Sequence, residues 1–162
     1  MRKLLTVPKI NFKVWEIITL LSILAFDRMT KIIVCAYPLG YSKKVFSFFY
    51  FTYVRNTGAA FGMGKGFNLV FVFIAVVLIV GVLYYKNYIA GFGFKAKIAT
   101  LFILSGAAGN LFDRIFYGYV IDFLDFRIWP VFNVADSFIS VGGVLLAFVF
   151  LLGGKDSGKN EK

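Results

Sequence analysis

The chain of 162 residues contains no histidine and only one cysteine, Cys35. The absence of histidine excludes the usual zinc-protease centres and the Ser-His-Asp triad. A single cysteine cannot form an intramolecular disulfide, and we interpret Cys35 as a small packing residue rather than a nucleophile. Any proton transfer by this protein must therefore use aspartate, glutamate, lysine or tyrosine side chains.

Acidic residues are also scarce, since the chain has 8 of them against 18 lysines and arginines. Two acids lie in the polar segment 155–162, which we predict to be disordered. Glu16 stands beside Lys13 at the start of an apolar run and fits a membrane interface. The other five acids are aspartates that border apolar segments, where a carboxylate is costly and therefore informative. They are Asp27, Asp113, Asp122, Asp125 and Asp136.

Apolar residues make up 60% of the chain, and the mean hydropathy is +0.81. This composition is typical of a polytopic membrane protein. The net charge of +10 raises the question of nucleic acid. However, the basic residues flank apolar segments as membrane topology requires, so we expect no nucleic-acid partner. The sequence predicts an all-α membrane protein, a single domain over 1–162 with four transmembrane helices. Those helices are expected over residues 15–34, 67–85, 98–116 and 134–152.

The distribution of basic residues predicts the orientation of these helices. Short basic stretches at both ends and in the middle loop place both termini in the cytoplasm. The helix ends that carry Asp27, Asp113 and Asp136 then face outward together. The basic N-terminus and the apolar run after it resemble a secretory signal, but the run is too long and lacks a small-residue cleavage site. We interpret it as a retained first helix. The aromatic, β-favouring loop 40–66 predicts a small β-sheet element on the outer face.

Two of the aspartates lie where acid–base chemistry is plausible on physical grounds. Pro130 and Asn133 are start signals for the fourth helix, which place Asp136 in its first turn. A capping role would explain this acid, but the amide dipoles there also favour its ionised form. Asp122, in a partly apolar linker, is expected to keep its proton. Environments that separate two carboxyl pKa values can make an acid and a base from one residue type.

The remaining aspartates leave alternatives open. Small residues at 106–109 permit close packing of the third helix, and Asn110 and Asp113 share one of its faces. Asp113 could form an ion pair with Arg114 at the helix end, the interpretation that we favour, or act directly in catalysis. Asp125 shares a face with the aspartate three residues before it only if the linker is helical. In a strand the two would point to opposite faces.

Four motifs, in order along nearly the whole chain, resemble those of lipoprotein signal peptidase (signal peptidase II), the bacterial intramembrane aspartic proteases. The chain departs from the family pattern at Arg28, where glutamine is common, and in the short stretch between Asp122 and Asp136. The similar segments are 27–31 (DRMTK, against D-x-x-[ST]-K), 55–62 (RNTGAAFG, against R-N-x-G-A-A-[FW]-G), 109–114 with 120–123 (GNLFDR and VIDF, against G-N-x-x-D-R and V-x-D-F) and 132–136 (FNVAD, against F-N-x-A-D).

The resemblance implies an aspartic endopeptidase that removes the signal peptide from diacylglyceryl-modified prolipoproteins, cleaving before the lipidated cysteine. It implies no metal or cofactor, and a site near the extracytoplasmic face of the bacterial cytoplasmic (inner) membrane. We expect a monomer in contact with membrane lipid. The resemblance makes Asp122 and Asp136 the catalytic pair. The supporting or substrate-binding residues would be Asp27, Lys31, Asn56, Gly58, Asn110, Asp113, Arg114, Asn133 and Ala135.

A second hypothesis is a small membrane transporter or channel whose aspartates line a proton or cation path. Four short helices are few for a transporter, and the acids cluster at one membrane edge instead of crossing it. A purely structural membrane subunit is a third hypothesis, which leaves the clustered aspartates and asparagines unexplained.

Overall fold

The computed structural model describes residues 10–58 and 67–152. The predicted disordered segment 155–162, the last residues of the predicted β element and the second half of the 55–62 motif lie outside the described residues. The described chain forms four α-helices and three β-strands. In chain order these are α1 (Val14–Cys35), β1 (Ser42–Phe46), β2 (Phe49–Asn56), α2 (Asn68–Ala90), α3 (Phe94–Phe116), β3 (Val120–Asp125) and α4 (Val134–Leu152).

Three of the helices in the described part of the chain, α2, α3 and α4, are long and apolar enough to cross a membrane. The predicted bundle with a small sheet is thus confirmed in its coarse form. The first helix has 22 residues and is of similar length to the others. By composition alone it carries too many charged side chains to count as a membrane-spanning helix.

The C-terminal end of α2 differs from the sequence expectation for an electrostatic reason. The helix continues to Ala90, beyond the expected end at residue 85. Lys86 lies inside it because its Nζ atom is 2.9 Å from the Glu16 carboxylate and donates a hydrogen bond to the Asn11 carbonyl. A lysine that suggests a helix end in the sequence is therefore compensated by α1.

Helix α3 occupies the centre of the bundle and packs against the other three helices. Its small residues permit this, as the sequence predicts. A Cβ atom on Gly106 would collide with the carbonyl oxygen of Ala135 in α4, and one on Gly109 would lie 2.8 Å from an Asp27 carboxylate oxygen. The close approach of α1, α3 and α4 brings their polar residues to one place.

The three strands form one antiparallel sheet in the order β1-β2-β3. Strands β1 and β2 are the predicted β element, whereas β3 comes from the linker after α3. Asp122 and Asp125 therefore lie in a strand, and the helical alternative is wrong. Asp122 contacts Asn56, while Asp125 accepts a hydrogen bond from Thr52.

The loop between β3 and α4 is short and closed at its base. Leu124 and Phe132 exchange backbone hydrogen bonds, 2.7 and 3.1 Å long. Within the loop, Arg127 has a φ of 65°, a conformation that is uncommon for residues other than glycine. Its amide donates to the Asp125 carboxylate, 2.9 Å away, which compensates part of that cost. The closed loop holds the middle of β3 beside the first turn of α4.

Candidate active site

The two aspartates singled out by the sequence come from different elements that meet at one end of the bundle. Gly118, with a φ of 77°, reverses the chain after α3 and starts it back along β3 towards Asp122. Asn133 starts α4, and it forms a reciprocal cap with Asp136. The Asp136 amide donates to the Asn133 side-chain oxygen, 2.8 Å away, and the Asn133 amide donates to an Asp136 carboxylate oxygen, 3.2 Å away. The predicted start of α4 is thus explained by the reciprocal bonding of a capping box, with Asn133 and Asp136 in place of the usual Ser or Thr and Glu or Gln.

Three asparagine side chains hold the two carboxyl groups. Asn56 and Asn133 each donate to one oxygen of Asp122, at 2.8 and 2.7 Å. Asn110 donates to Asp136 at 2.7 Å, and its own side-chain oxygen accepts from Asn133 at 3.1 Å. These donors are neutral, so they fix the orientation of the carboxyl groups without requiring both to be ionised.

The surroundings of Asp122 favour its protonated form. The residue is 1% exposed, and burial, together with the nearby Asp136 charge, raises the pKa of Asp122 to about 7. Both effects disfavour a second negative charge in the site, and the hydrogen bonds from Asn56 and Asn133 offset them only in part. The direction agrees with the expectation that Asp122 keeps its proton.

A buried network of four charges lies behind the pair. Lys31 is completely buried, and its Nζ atom is 2.8 Å from both the Asp27 and the Asp113 carboxylates. Arg28 completes the network with a 2.7 Å contact to Asp113. Two acids are thus balanced by two bases, the arrangement in which buried charges persist.

The network also positions the backbone on which the two catalytic candidates stand. The amide of Ala135, the residue before Asp136, donates to Asp27 at 3.0 Å. The amide of Ile121, the residue before Asp122, donates to Asp113 at 3.3 Å. Each of the two aspartates therefore follows a residue whose amide is held by an acid of the network.

The sequence favours an ion pair between Asp113 and Arg114. Asp113 does form ion pairs, but the predicted partner is wrong. Asp113 lies on the side of α3 that faces α1, where Lys31 and Arg28 reach it. Arg114, the next residue, points elsewhere and donates to the Gly58 carbonyl at 3.2 Å. Gly58 in turn donates its amide to the Asn56 side chain, so Arg114 supports the site from the other side.

An open cleft of about 700 Å³ leads to the pair from one side of the bundle. Asp122, Asp136 and Arg114 form the polar end of its wall. Asn56 and Gly58 line it at the same end. The remaining lining residues are mostly apolar or small, and they come from the loop after β3 and from α4. They include Phe126, Ile128, Trp129, Pro130, Phe132, Ser137, Ser140 and Val141. The cleft thus combines an apolar wall with one buried carboxyl group, Asp122, and one half-buried carboxyl group, Asp136, a combination typical of binding sites.

The structure brings together all eleven residues that the sequence proposed for the site. Arg28 was noted only as a departure from a pattern, and its contact with Asp113 was missed. Its position beside Asp27 in an apolar helix was the available signal. The apolar wall of the cleft was also missed, because loop residues such as Trp129 carry no motif.

A model of the family described as "Signal peptidase (SPase) II" matches residues 19–152 of this chain. The chain belongs to the signal peptidase II family. It is similar to the lipoprotein signal peptidase of Halothermothrix orenii, with 43% identity over 132 residues that cover 80% of this chain and 90% of that protein. It is also 40% identical to the lipoprotein signal peptidase of Desulfitobacterium hafniense (strain DSM 10664 / DCB-2) over 147 residues, 89% of this chain and 97% of its relative.

Two solved structures of bacterial membrane enzymes share the fold of this signal peptidase II family member. One, described as a bacterial membrane enzyme at 2.3 Å resolution, has a TM-score of 0.79 and 34% identity over 95% of this chain and 96% of its own. Another, at 1.9 Å resolution, has a TM-score of 0.76 and 30% identity over 89% and 97%. The predictions of a lipoprotein signal peptidase family member, a protease and a membrane protein are confirmed. The transporter or channel hypothesis finds no support in these comparisons.

The tight contact between α3 and α4 gives a prediction about the geometry of the site. Replacing Gly106 by alanine places a methyl group against the Ala135 carbonyl, so α4 must move away from α3 and carry Asp136 with it. We expect a clear loss of both melting temperature and cleavage activity, since a backbone carbonyl yields less readily than a side chain. The measurements are thermal unfolding in detergent and turnover of a lipidated peptide.

Gly143 provides the matched control, because it lies in α4 and its Cβ position meets nothing within 4 Å. Gly143→Ala should leave both quantities near their original values. Equal effects of the two substitutions would show that helix propensity, and not the contact between α3 and α4, dominates.

Proposed function

We propose that this chain removes the signal peptide from lipid-modified prolipoproteins by aspartic-protease chemistry, cleaving before the lipidated cysteine. The observation that carries the proposal is the carboxyl pair of Asp122 and Asp136. Both side chains are oriented by neutral asparagine donors, and both line a cleft with an apolar wall. A lipidated substrate suits such a cleft because its acyl chains remain in the bilayer while the scissile bond reaches the polar end.

In the proposed mechanism the two carboxyl groups divide the work of acid and base. Asp136 takes a proton from a water molecule, whose oxygen attacks the carbonyl carbon of the scissile bond. Asp122 donates its proton to the developing oxyanion, which forms a tetrahedral intermediate. As the intermediate collapses, the C–N bond breaks, the amine receives the proton held by Asp136, and the hydroxyl proton returns to Asp122. The reaction thus ends with the pair in its starting state.

The remaining site residues are assigned supporting roles. Asn56, Asn110 and Asn133 orient the pair through their side-chain amides. Arg114 and Gly58 both line the cleft, and Arg114 donates a hydrogen bond to the Gly58 carbonyl. Both residues would therefore lie close to a substrate bound in the cleft. Asp27, Asp113 and the Ala135 amide act on the chemistry through the positions of β3 and α4. Lys31 holds both acids and also contacts Asn110, which orients Asp136.

We further propose that all four helices span the membrane, with both termini in the cytoplasm and the sheet on the outer face. The charges in the second half of α1 are compatible with a span because Asp27 is 3% exposed and Lys31 is completely buried, and Arg28 is paired with Asp113. Its outer surface is apolar, with exposed residues such as Phe26, Met29 and Ile32. A helix of 22 residues is about 33 Å long, enough to cross the hydrocarbon core.

One assay tests the function directly. Purified protein is incubated with a lipidated prolipoprotein peptide and, in parallel, with the same peptide lacking the diacylglyceryl group. We expect mass spectrometry to detect the free signal peptide, cut before the modified cysteine, only from the lipidated form. Absence of cleavage by a folded protein, or equal cleavage of both peptides, would contradict the proposal. Size measurement in detergent tests the expected monomer, in which one chain provides the whole site.

The proposed division of acid and base predicts a pH dependence. Asp122 must be protonated to donate, so activity should fall as the pH rises through the pKa of about 7. At low pH activity should fall again because the base becomes protonated, and the two apparent values belong to the coupled pair. The measurement is kcat/KM from pH 4 to 9 (about five units, a range that contains both limbs), with thermal stability as the control at each pH. Constant activity from neutral to alkaline pH would exclude Asp122 as the proton donor.

A further inference from the structure

A second cavity lies between the last turns of α1 and the hairpin of β1 and β2. We call it the hairpin cavity. Its volume is about 350 Å³, within the range of about 300–1,000 Å³ that is usual for small-molecule sites. Its lining is almost entirely apolar and includes Ile33 and Val34 from α1 and Phe51 and Phe123 from the sheet. The hairpin cavity shares none of its lining residues with the cleft.

The hairpin cavity is lined by one cation. Lys43 lines it from β1, and no carboxylate in the described parts of the chain forms an ion pair with this lysine. The surrounding segment 36–58 contains three basic residues and no acid. The C-terminal end of α1 adds no positive charge, since helix dipoles are negative there. Lys43 is therefore the group available to attract an anion to this opening.

Aromatic side chains complete the opening. Tyr37 and Tyr41 stack on each other with ring centroids 4.9 Å apart, and both line the hairpin cavity. Tyrosine is favoured at the depth of lipid headgroups because its ring is apolar and its hydroxyl is polar. The lining thus combines apolar side chains, two stacked tyrosines and one cation, which match the acyl chain, the glycerol region and the phosphate of a phospholipid.

We propose that the hairpin cavity binds one anionic phospholipid, with an acyl chain between Val34 and Phe51 and the phosphate at Lys43. The proposal concerns a site separate from the peptidase cleft, and its test does not depend on cleavage. Such a lipid would fasten the hairpin to the membrane surface. Because β2 also carries Asn56, which orients Asp122, lipid binding would steady one support of the site.

Photochemical labelling tests the proposal. The full chain is placed in phosphatidylcholine nanodiscs that contain phosphatidylglycerol with a photoreactive group near the end of one acyl chain. After irradiation, peptide mass spectrometry should find adducts on the 30–37 and 49–56 segments in excess over α2, which faces lipid along its length. Lys43→Ala should lower that labelling about fivefold, the change expected for one basic residue near an anionic lipid. A probe of the same structure on phosphatidylcholine should label the hairpin cavity correspondingly less.

Two controls make the result decisive. Lys44 is the next residue of β1, is also exposed, and does not line the hairpin cavity, so Lys44→Ala should leave the labelling unchanged. Val34→Trp fills the cavity and should abolish local labelling, whereas Val80→Trp on the lipid-facing surface of α2 should not. Labelling spread evenly over α2 and the hairpin, or an equal loss with Lys44→Ala, would overturn the proposal. The labelling of the unaltered chain decides the matter even if Val34→Trp does not fold.

Discussion

Replacing either Asp122 or Asp136 by asparagine is expected to abolish peptide cleavage while the protein still inserts and folds. In the mechanism each of these carboxyl groups both takes up and gives back a proton, and an asparagine side chain can do neither. General acid–base catalysis alone contributes about 10²–10⁴-fold, and the pair works as a unit, so either single change should reduce turnover to background. The measurement is kcat for a lipidated prolipoprotein peptide, followed by mass spectrometry of the released signal peptide.

Asp125→Asn is the matched control for this experiment. It makes the same chemical change in the same strand, at a residue that is also buried but contacts Thr52 and Arg127 and does not line the cleft. We expect it to retain most of the activity. The melting temperatures of all three variants must also be compared. The side-chain NH₂ group of an asparagine at 122 would face the NH₂ group of Asn56 or Asn133, so two donors would meet and one hydrogen bond would be lost. Near-normal turnover by the Asp122 or the Asp136 variant would contradict the assignment of that residue as catalytic.

Replacing Lys31 by methionine is expected to cause the largest loss of stability in the described chain. The lysine is completely buried and stands between Asp27 and Asp113 at 2.8 Å from each. Without it, two carboxylates remain in a buried site with Arg28 as their one cation. Removing one member of a buried ion pair costs about 3–5 kcal/mol. Activity should fall together with stability, because Lys31 also contacts Asn110, which orients Asp136.

Thermal unfolding in detergent measures this loss, and Lys44→Met on the exposed face of β1 is the control for the change from lysine to methionine. The double variant in which Asp27 also becomes asparagine provides a second comparison, because it leaves Asp113 paired with Arg28 and no net charge in the network. If charge imbalance is the cause, the double variant should be more stable than Lys31→Met alone. Asp113→Asn by itself should lower stability and leave partial activity. A folded Asp113→Asn variant with no activity would place that residue in the catalytic set.

Sequence patterns predicted the helices because each needs only a local signal, a long apolar run between polar segments. They were less reliable at the helix ends. Lys86 suggested an end to α2, but Glu16, which is distant in the chain, compensates its charge and the helix continues. The strand character of 120–125 could not be decided either. An isolated segment of six residues fits a helix or a strand, and it becomes a strand here because β2 pairs with it.

In the candidate site, too, the sequence predicted local features but not contacts between distant parts of the chain. The sequence identified its residues through four motifs, yet within each motif it could not separate a structural partner from a neighbour in the chain. Asp113 and Arg114 are adjacent and oppositely charged, which made a local ion pair the natural interpretation. On a helix, however, successive side chains point in directions about 100° apart, so Asp113 turns towards α1 while Arg114 turns towards Gly58. The ion-pair partners of Asp113, Lys31 and Arg28, lie in another helix, α1.

By itself, the sequence determined the chemistry available to this protein: no histidine, few acids, and those acids gathered at the ends of apolar segments. It also determined the family resemblance, because motifs are local strings of residues. Only the tertiary structure decided how Asp122 and Asp136 are held. Their asparagine donors come from β2, α3 and the start of α4, and the buried charges behind them come from α1 and α3. Hydrogen bonds and ion pairs act over about 3 Å, so they depend on which elements pack together and not on distance along the chain.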